Sequence, residues 1–134
     1  MTSKLKKILC VDDDPDILTI AKLALEQLGG YSLATCSTGR DGVREAGAWR
    51  PDLIIMDVMM PELDGPATLR MLQSDQLAFD IPVVFMTARV ARSEVEEYKA
   101  LGAVDVIAKP FDPIALSSQV RSIWERVAML GPPN

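Results

Sequence analysis

Residues 8–16 read ILCVDDDPD, an apolar run that passes directly into three consecutive aspartates, Asp12, Asp13 and Asp14. A continuous apolar run of this length is typical of a β-strand that is covered on both faces, as in a parallel sheet. Two carboxylates about 4 Å apart repel each other by roughly 4 kcal/mol at an effective dielectric constant of about 20. A group of acids at the end of a buried strand therefore calls for a compensating partner.

Beyond this strand, short apolar runs alternate with helical patterns along the whole chain. The predicted strands are residues 7–11, 32–36, 52–57, 82–87 and 104–108. All but the second and the fifth are nearly continuous apolar runs, as expected for strands covered on both faces. The helices are expected to begin at Asp14–Pro15, near residue 38, near Asp64, at a capping box formed by Ser93 and Glu96, and at Asp112–Pro113. Strands and helices that alternate in this way predict the α/β class, with a doubly wound five-stranded parallel sheet flanked by five helices.

Composition narrows the chemistry that one domain of 134 residues can perform. The net charge of −5 argues against a nucleic-acid surface on this domain, and the chain contains no histidine. The lack of histidine excludes Ser-His-Asp and Cys-His catalysis and the common zinc sites. Cys10 and Cys36 lie in apolar runs and are interpreted as reduced core thiols. The apolar run near the N-terminus is too short for a signal peptide or a membrane span, so we expect a cytoplasmic protein without a membrane partner.

The carboxyl ends of the predicted strands carry polar residues that a parallel sheet would bring together. Asp12 and Asp13 follow the first strand, Asp57 ends the third, Thr87 ends the fourth, and Lys109 follows the fifth. Singly, each has an ordinary explanation as a cap, turn or surface residue. Together they match a phosphate site with Mg²⁺, which takes one or two carboxylates and leaves its other positions to water and phosphate. Asp57 would then be a nucleophile that accepts a phosphoryl group.

Four segments carry a resemblance to a known family: ILCVDDDPD, PDLIIMDVMMPELDG, PVVFMTA and GAVDVIAKPFDP, at residues 8–16, 51–65, 82–88 and 102–113. In order and spacing they resemble the receiver domain of two-component response regulators, including its chemotaxis members. The resemblance covers residues 6 to about 128 and implies a sheet order of 2-1-3-4-5. We therefore expect a receiver domain over residues 1–130, with residues 131–134 as a tail or the start of a linker.

The resemblance also implies a role for each matching residue. Asp57 would be the phosphoacceptor, and Asp12, Asp13 and Asp57 would hold Mg²⁺ together with the backbone carbonyl of Met59. Thr87 would supply the switch hydroxyl, and Lys109 the amine that contacts the phosphoryl group. The bond between Lys109 and Pro110 is expected to be cis.

The implied partners are proteins. The phosphoryl donor would be a phosphohistidine on a sensor histidine kinase or a histidine phosphotransfer protein. The output would pass to a downstream protein through the face formed by helix 4, strand 5 and helix 5. On this interpretation the chain is a phosphorylatable signalling domain and not an enzyme, although it assists its own phosphorylation and dephosphorylation.

One position departs from the family pattern. Val106 stands where the family usually places an aromatic residue that moves with the switch threonine. Because valine is short and stiff at χ1, we expect the switch to be mainly a displacement of the loop at residues 88–92 and the start of helix 4. Tyr98 could substitute for the aromatic, but a core or surface tyrosine is the favoured interpretation.

Two other functions stay open at this point. An inert pseudo-receiver would act only as an interaction module, although the complete set of acids, threonine and lysine argues against it. A phosphatase with Asp57 as nucleophile would need a second acid two residues later, where Met59 stands. Flavodoxin-like and EF-hand interpretations fail, because aspartates would repel a phosphate in the first loop and Ile17 replaces the glycine of a calcium loop.

Overall fold

A computed structural model describes residues 4–129 and contains one parallel sheet of five strands. The strands are β1 Lys7–Val11, β2 Ser32–Cys36, β3 Leu53–Asp57, β4 Val83–Thr87 and β5 Asp105–Ala108. Their order is β2-β1-β3-β4-β5, which confirms the predicted topology. Three strands begin one residue later than predicted. The predicted tail at residues 131–134 lies outside the described residues.

Helices alternate with the strands: α1 Pro15–Lys22, α2 Gly39–Trp49, α3 Gly65–Gln73, α4 Arg92–Leu101 and α5 Pro113–Met129. A π-helical segment, Leu23–Leu28, continues α1 and ends at Gly29 as predicted. The side chains of Asp14 and Asp64 cap α1 and α3 by accepting hydrogen bonds from backbone amides. Capping satisfies N–H groups that have no partner within the helix.

The capping box predicted at the start of α4 is wrong. The helix begins at Arg92 with Ala91 as its N-cap, and no side chain accepts a hydrogen bond from this end. Glu96 instead accepts a hydrogen bond from Arg92 Nε at 3.2 Å. Ser93 and Glu96 match the capping-box pattern in sequence. In the structure, however, Glu96 forms an i,i+4 ion pair with Arg92 on the helix surface and does not cap the helix.

Two apolar layers hold the helices against the sheet. On one face, Leu9, Ile54, Met56, Val83 and Phe85 pack with side chains of α2 and α3. On the other face, Ile8, Cys10, Leu53, Ile55, Val84 and Met86 pack with α1 and α5. Strands β1, β3 and β4 are buried almost throughout, whereas the edge strands β2 and β5 are partly exposed. The continuous apolar runs thus predicted correctly which strands are central.

Helix α2 forms although glycines weaken its sequence signal. A Cβ atom at Gly42 would lie 2.9 Å from a side-chain carbon of Val11, so the helix backbone packs directly on β1 at this point. This close approach offsets the poor helix propensity of glycine.

The cysteines behave as core residues. Cys10 is fully buried, and burial raises the pKa of its thiol to about 12. Cys36 packs against the opposite apolar layer, and burial raises the pKa of its thiol to about 11. Both thiols are free, as predicted, and high pKa values make them poor nucleophiles at neutral pH. Among residues 4–129, no helix is long and apolar enough to cross a membrane.

Candidate functional site

The polar residues predicted to converge do meet at the carboxyl edge of the sheet. Asp57 is the last residue of β3 and Thr87 the last of β4, while Asp12 and Lys109 immediately follow β1 and β5. Because all strands are parallel, their carboxyl ends lie on one side. The site is thus built from four neighbouring strands whose register is fixed by backbone pairing.

Three carboxylates form the centre of the site. Asp12, Asp13 and Asp57 each offer an oxygen, and these oxygens all lie within 4.8 Å of one another. Asp12 is fully buried and Asp57 is 5% exposed, whereas Asp13 is open to solvent. Asp12 Oδ1 accepts a hydrogen bond from the Asp14 amide at 2.9 Å, which orients its carboxylate at the start of α1.

Lys109 joins two of these acids. Its ammonium nitrogen lies 2.7 Å from Asp12 Oδ2 and 3.1 Å from Asp57 Oδ1. Burial acts to lower the pKa of Lys109, but the hydrogen bonds and charges of the two aspartates outweigh it, and the pKa is raised. The lysine is therefore held charged beside the acids. The sequence predicted that Lys109 faces this site but did not predict its close pairing with Asp12.

The Asp57 carboxyl keeps a raised pKa despite this lysine. Burial is the main cause, and the negative charge of Asp12 adds to it. Hydrogen bonds from Lys109 and from the Met59 amide, at 3.4 Å from Oδ1, act in the opposite direction. The ammonium group of Lys109 thus leaves part of the negative charge of the site uncompensated.

Thr87 connects the site to the loop that precedes α4. Its side chain is 3% exposed, and its hydroxyl oxygen accepts a hydrogen bond from the Arg89 amide at 3.0 Å. Its carbonyl accepts a hydrogen bond from the Lys109 amide at 2.8 Å. Movement of the Thr87 side chain would therefore change a contact within the loop at residues 88–91.

The three carboxylates fit a hard divalent cation. Magnesium prefers oxygen ligands and keeps several positions for water and phosphate, and an open cluster with exposed Asp13 leaves such positions free. The remaining negative charge around Asp57 would favour such a cation electrostatically. The role of the Met59 carbonyl as a further ligand stays a prediction.

Sequence reasoning missed the part that Gly65 plays at this site. A Cβ atom there would lie 2.6 Å from the Asp57 carbonyl oxygen and 2.8 Å from Val58 Cα. Only glycine therefore lets α3 begin directly beneath the Asp57 backbone. The sequence signal that could have revealed this role is the glycine that directly follows Asp64 at the predicted helix start. The Lys109–Pro110 bond is cis, as the resemblance implied.

Comparison with known proteins agrees with this geometry. A family model described as "Response regulator receiver domain" matches residues 8–121. The chain belongs to this family. The receiver domain is 36% identical over 127 residues to the alkaline phosphatase synthesis transcriptional regulatory protein PhoP of Bacillus subtilis, covering 95% of this chain and 52% of PhoP. It is 34% identical over 120 residues to the DNA-binding dual master transcriptional regulator RpaA of Synechocystis, covering 90% of this chain and 49% of RpaA.

Solved structures with the same fold include several receiver domains. The chemotaxis response regulator CheY4 of Vibrio cholerae superposes with a TM-score of 0.82 at 28% identity, covering 90% of this chain and 99% of CheY4. The signal receiver domain of a histidine kinase from Syntrophus aciditrophicus gives a TM-score of 0.76 at 37% identity, covering 91% of this chain and 92% of the other. The present chain spans about half the length of the curated relatives named above.

Proposed function

We propose that this receiver domain accepts a phosphoryl group on Asp57 and signals through a conformational change. The donor would be a phosphohistidine of a sensor histidine kinase or a histidine phosphotransfer protein, since receiver domains pair with sensor kinases. A carboxylate oxygen of Asp57 attacks phosphorus, the nitrogen–phosphorus bond breaks, and the histidine nitrogen leaves with its electron pair. The observation that carries the proposal is the Asp57 carboxylate, buried at a strand end between Lys109 and two further acids.

The surrounding side chains have separate tasks in this reaction. Lys109, already 3.1 Å from Asp57, would neutralise charge on the transferred phosphoryl oxygens. Thr87 would donate its hydroxyl to one of these oxygens. The fixed contact between Lys109 and Asp12 keeps the ammonium group in place before the donor arrives, so little reorganisation is needed.

Magnesium is the cofactor we propose, held by Asp12, Asp13 and Asp57 with the Met59 carbonyl. When bound, the ion supplies positive charge to both the carboxylate and the phosphoryl group. The support is the unbalanced charge at Asp57, whose pKa is raised by burial and by Asp12. Without a cation, an incoming phosphoryl group would meet three carboxylates, whose charge the ammonium group of Lys109 balances only in part.

Chemical phosphorylation tests the proposal. With acetyl phosphate and Mg²⁺, the protein should gain one phosphoryl group, and the adduct should be labile to hydroxylamine as an acyl phosphate is. Asp57→Asn should abolish the gain, whereas Asp75→Asn, which changes an aspartate in the loop after α3, should leave it intact. The measurement is intact-protein mass spectrometry with and without hydroxylamine. Equal labelling of Asp57→Asn would show that the phosphoacceptor assignment is wrong.

The output of the domain is a second part of the proposal. We infer that a downstream protein or domain binds the face formed by α4, β5 and α5. The relatives PhoP and RpaA are named as transcriptional regulators, and this chain matches about half of each. We further propose that residues 1–130 themselves do not contact nucleic acid, in keeping with a net charge of −5, and that the domain works in the cytoplasm.

A further inference from the structure

Helix α4 contributes less to the buried core than α3 and α5 do. None of its residues is fully buried. A groove of about 420 Å³ lies between α4, β5 and α5, with Val95, Val106 and Ile123 among its lining residues. Side chains that face open space lose the dispersion contacts that pack a helix onto a sheet. Polar contacts therefore carry a larger share of the attachment of α4.

Asp105 is the centre of these polar contacts. It is the first residue of β5, and its side chain is only 16% exposed. Its Oδ1 atom lies 3.9 Å from the Lys99 ammonium nitrogen in the last turn of α4, and accepts a hydrogen bond from the Val106 amide at 2.8 Å. Its Oδ2 atom pairs with the guanidinium group of Arg126 near the end of α5. One carboxylate thus joins α4, β5 and α5.

The other directional contacts of α4 lie in the same half of the helix. Tyr98 packs edge-on against Phe85 with ring centroids 5.4 Å apart, and Gln73 Nε2 donates to the Leu101 carbonyl at 2.9 Å. At the opposite end, Arg92 and Glu96 pair within the helix itself. Among the described residues, the ion pairs and ring contacts that fix α4 to other elements are therefore at its C-terminal half, while its N-terminal half follows the Thr87 loop.

We propose that the ion pairs of Asp105 with Lys99 and Arg126 form a restraint that holds α4 in its resting orientation. The inference rests on the proposed function, because it assumes that phosphorylation displaces α4. A restraint that is present only in the resting state opposes the displacement, and its removal shifts the equilibrium toward the displaced state. Asp105 acts here as a positioning residue and has no part in the phosphoryl chemistry.

The test compares Asp105→Asn with Asp80→Asn, which breaks an exposed aspartate–arginine pair with Arg50 outside α4. Without phosphate, Asp105→Asn should accelerate amide hydrogen exchange in residues 92–101 by about two- to fivefold, the effect expected when one partly exposed ion pair is lost. Backbone chemical shifts at residues 88–92 should move part of the way toward those of the phosphorylated parent protein. Asp80→Asn should change neither measurement.

Lys99→Gln removes the other partner of the ion pair that joins α4 to β5, and so provides an independent variant of the same restraint. It should reproduce the effect of Asp105→Asn, and the double variant should add little to either single change, because all three remove the same contact. Exchange and shifts in Asp105→Asn that equal those of Asp80→Asn would overturn the proposal, as would full additivity of the two changes. Acyl-phosphate labelling of every variant separates the proposed function from the proposed restraint. Failure of the parent protein to label would contradict the proposed function itself, whereas normal labelling with no change in exchange in Asp105→Asn would contradict only the restraint.

Discussion

Asp57 illustrates how one residue can be costly for folding and useful for chemistry. Burial and the neighbouring Asp12 raise the pKa of its carboxyl, so the ionised form is disfavoured in the folded protein. A carboxylate held in this state should gain more from a nearby cation, or from conversion to an acyl phosphate, than an exposed one does. The same residue is thus a source of instability in the metal-free domain.

This pKa shift predicts a pH dependence of stability. A carboxyl group whose pKa is raised on folding contributes stability below its ordinary value of 3.8, and that contribution is lost as the pH rises through the raised value. In EDTA, Asp57→Asn should therefore lose less stability than the parent protein between pH 3.8 and neutrality. Urea denaturation across this range measures the difference. Parallel pH curves for the two proteins would contradict the assigned cause.

At the scale of one element, α2 shows how glycines in the same helix can have opposite roles. A Cβ atom at Gly42 would meet Val11 of the buried strand β1 at 2.9 Å, whereas one at Gly47 would meet the side chain of Leu77 at 3.3 Å. Leu77 is 61% exposed, so core packing does not oppose the shift of a few tenths of an ångström that its Cβ atom would have to make. Val11 is fixed within the core.

We therefore expect opposite outcomes for a matched pair of substitutions. Gly42→Ala should destabilise the fold by about 1–3 kcal/mol through overpacking. Gly47→Ala should be neutral or stabilise it by up to about 1 kcal/mol, because alanine favours the helix. The free energy of unfolding in urea distinguishes the two. If Gly42→Ala were as stable as Gly47→Ala, close packing would not be the reason that α2 contains glycine there.

The loop between β4 and α4 is the element that should transmit phosphorylation. The Thr87 hydroxyl oxygen now accepts a hydrogen bond from the Arg89 amide at 3.0 Å, and a phosphoryl group on Asp57 would compete for this side chain. Val106 packs against the apolar layer as a partly buried side chain and is too short to follow. Tyr98 packs on Phe85, in agreement with a core tyrosine.

Two alanine variants test this route. Thr87→Ala should still allow phosphorylation of Asp57 but remove most phosphate-dependent chemical-shift changes at residues 88–108. Val106→Ala should alter those changes little. The new bond available to Thr87 is charge-assisted and worth roughly 1.5–3 kcal/mol, enough to account for such a shift. The reverse pattern, with Thr87→Ala responsive and Val106→Ala silent, would place the coupling at Val106.

For the whole molecule, the proposed metal site at the acid cluster would link Mg²⁺ binding to folding. Only the folded sheet brings Asp12, Asp13 and Asp57 within 4.8 Å, so Mg²⁺ should bind the folded state selectively. The fold is otherwise held by two apolar layers and does not depend on the ion for its core.

We expect Mg²⁺ to stabilise the protein by about 2.7 kcal/mol at 100 times its Kd. Asp13→Asn should weaken this response and raise the stability of the metal-free form, because it removes one of the three repelling charges. Thermal denaturation over a Mg²⁺ titration gives both quantities. Asp16→Asn, a nearby exposed aspartate outside the cluster, serves as the control. An unchanged Mg²⁺ response in Asp13→Asn would contradict its role as a ligand.

Patterns in the sequence were enough to predict the fold class and the residues that lie together at the carboxyl edge of the sheet. Continuous apolar runs identified the central strands, and parallel strands place Asp12, Asp57, Thr87 and Lys109 at one edge whatever the details of packing. The strands, the helices and their shared edge follow from local periodicity and the parallel arrangement, whereas the strand order 2-1-3-4-5 was implied by the family resemblance. Helix starts were less certain, as the wrong capping box at Ser93 shows.

Contacts between residues that are distant in the sequence are set by tertiary packing. The pairing of Lys109 with Asp12, the joining of three elements by Asp105 and the close approach that requires Gly65 each involve atoms that meet only after folding. No local pattern encodes such contacts, because their distances are set by how helices pack on the sheet. The raised pKa of Asp57 has the same origin, since burial and the charge of Asp12 are properties of the folded chain.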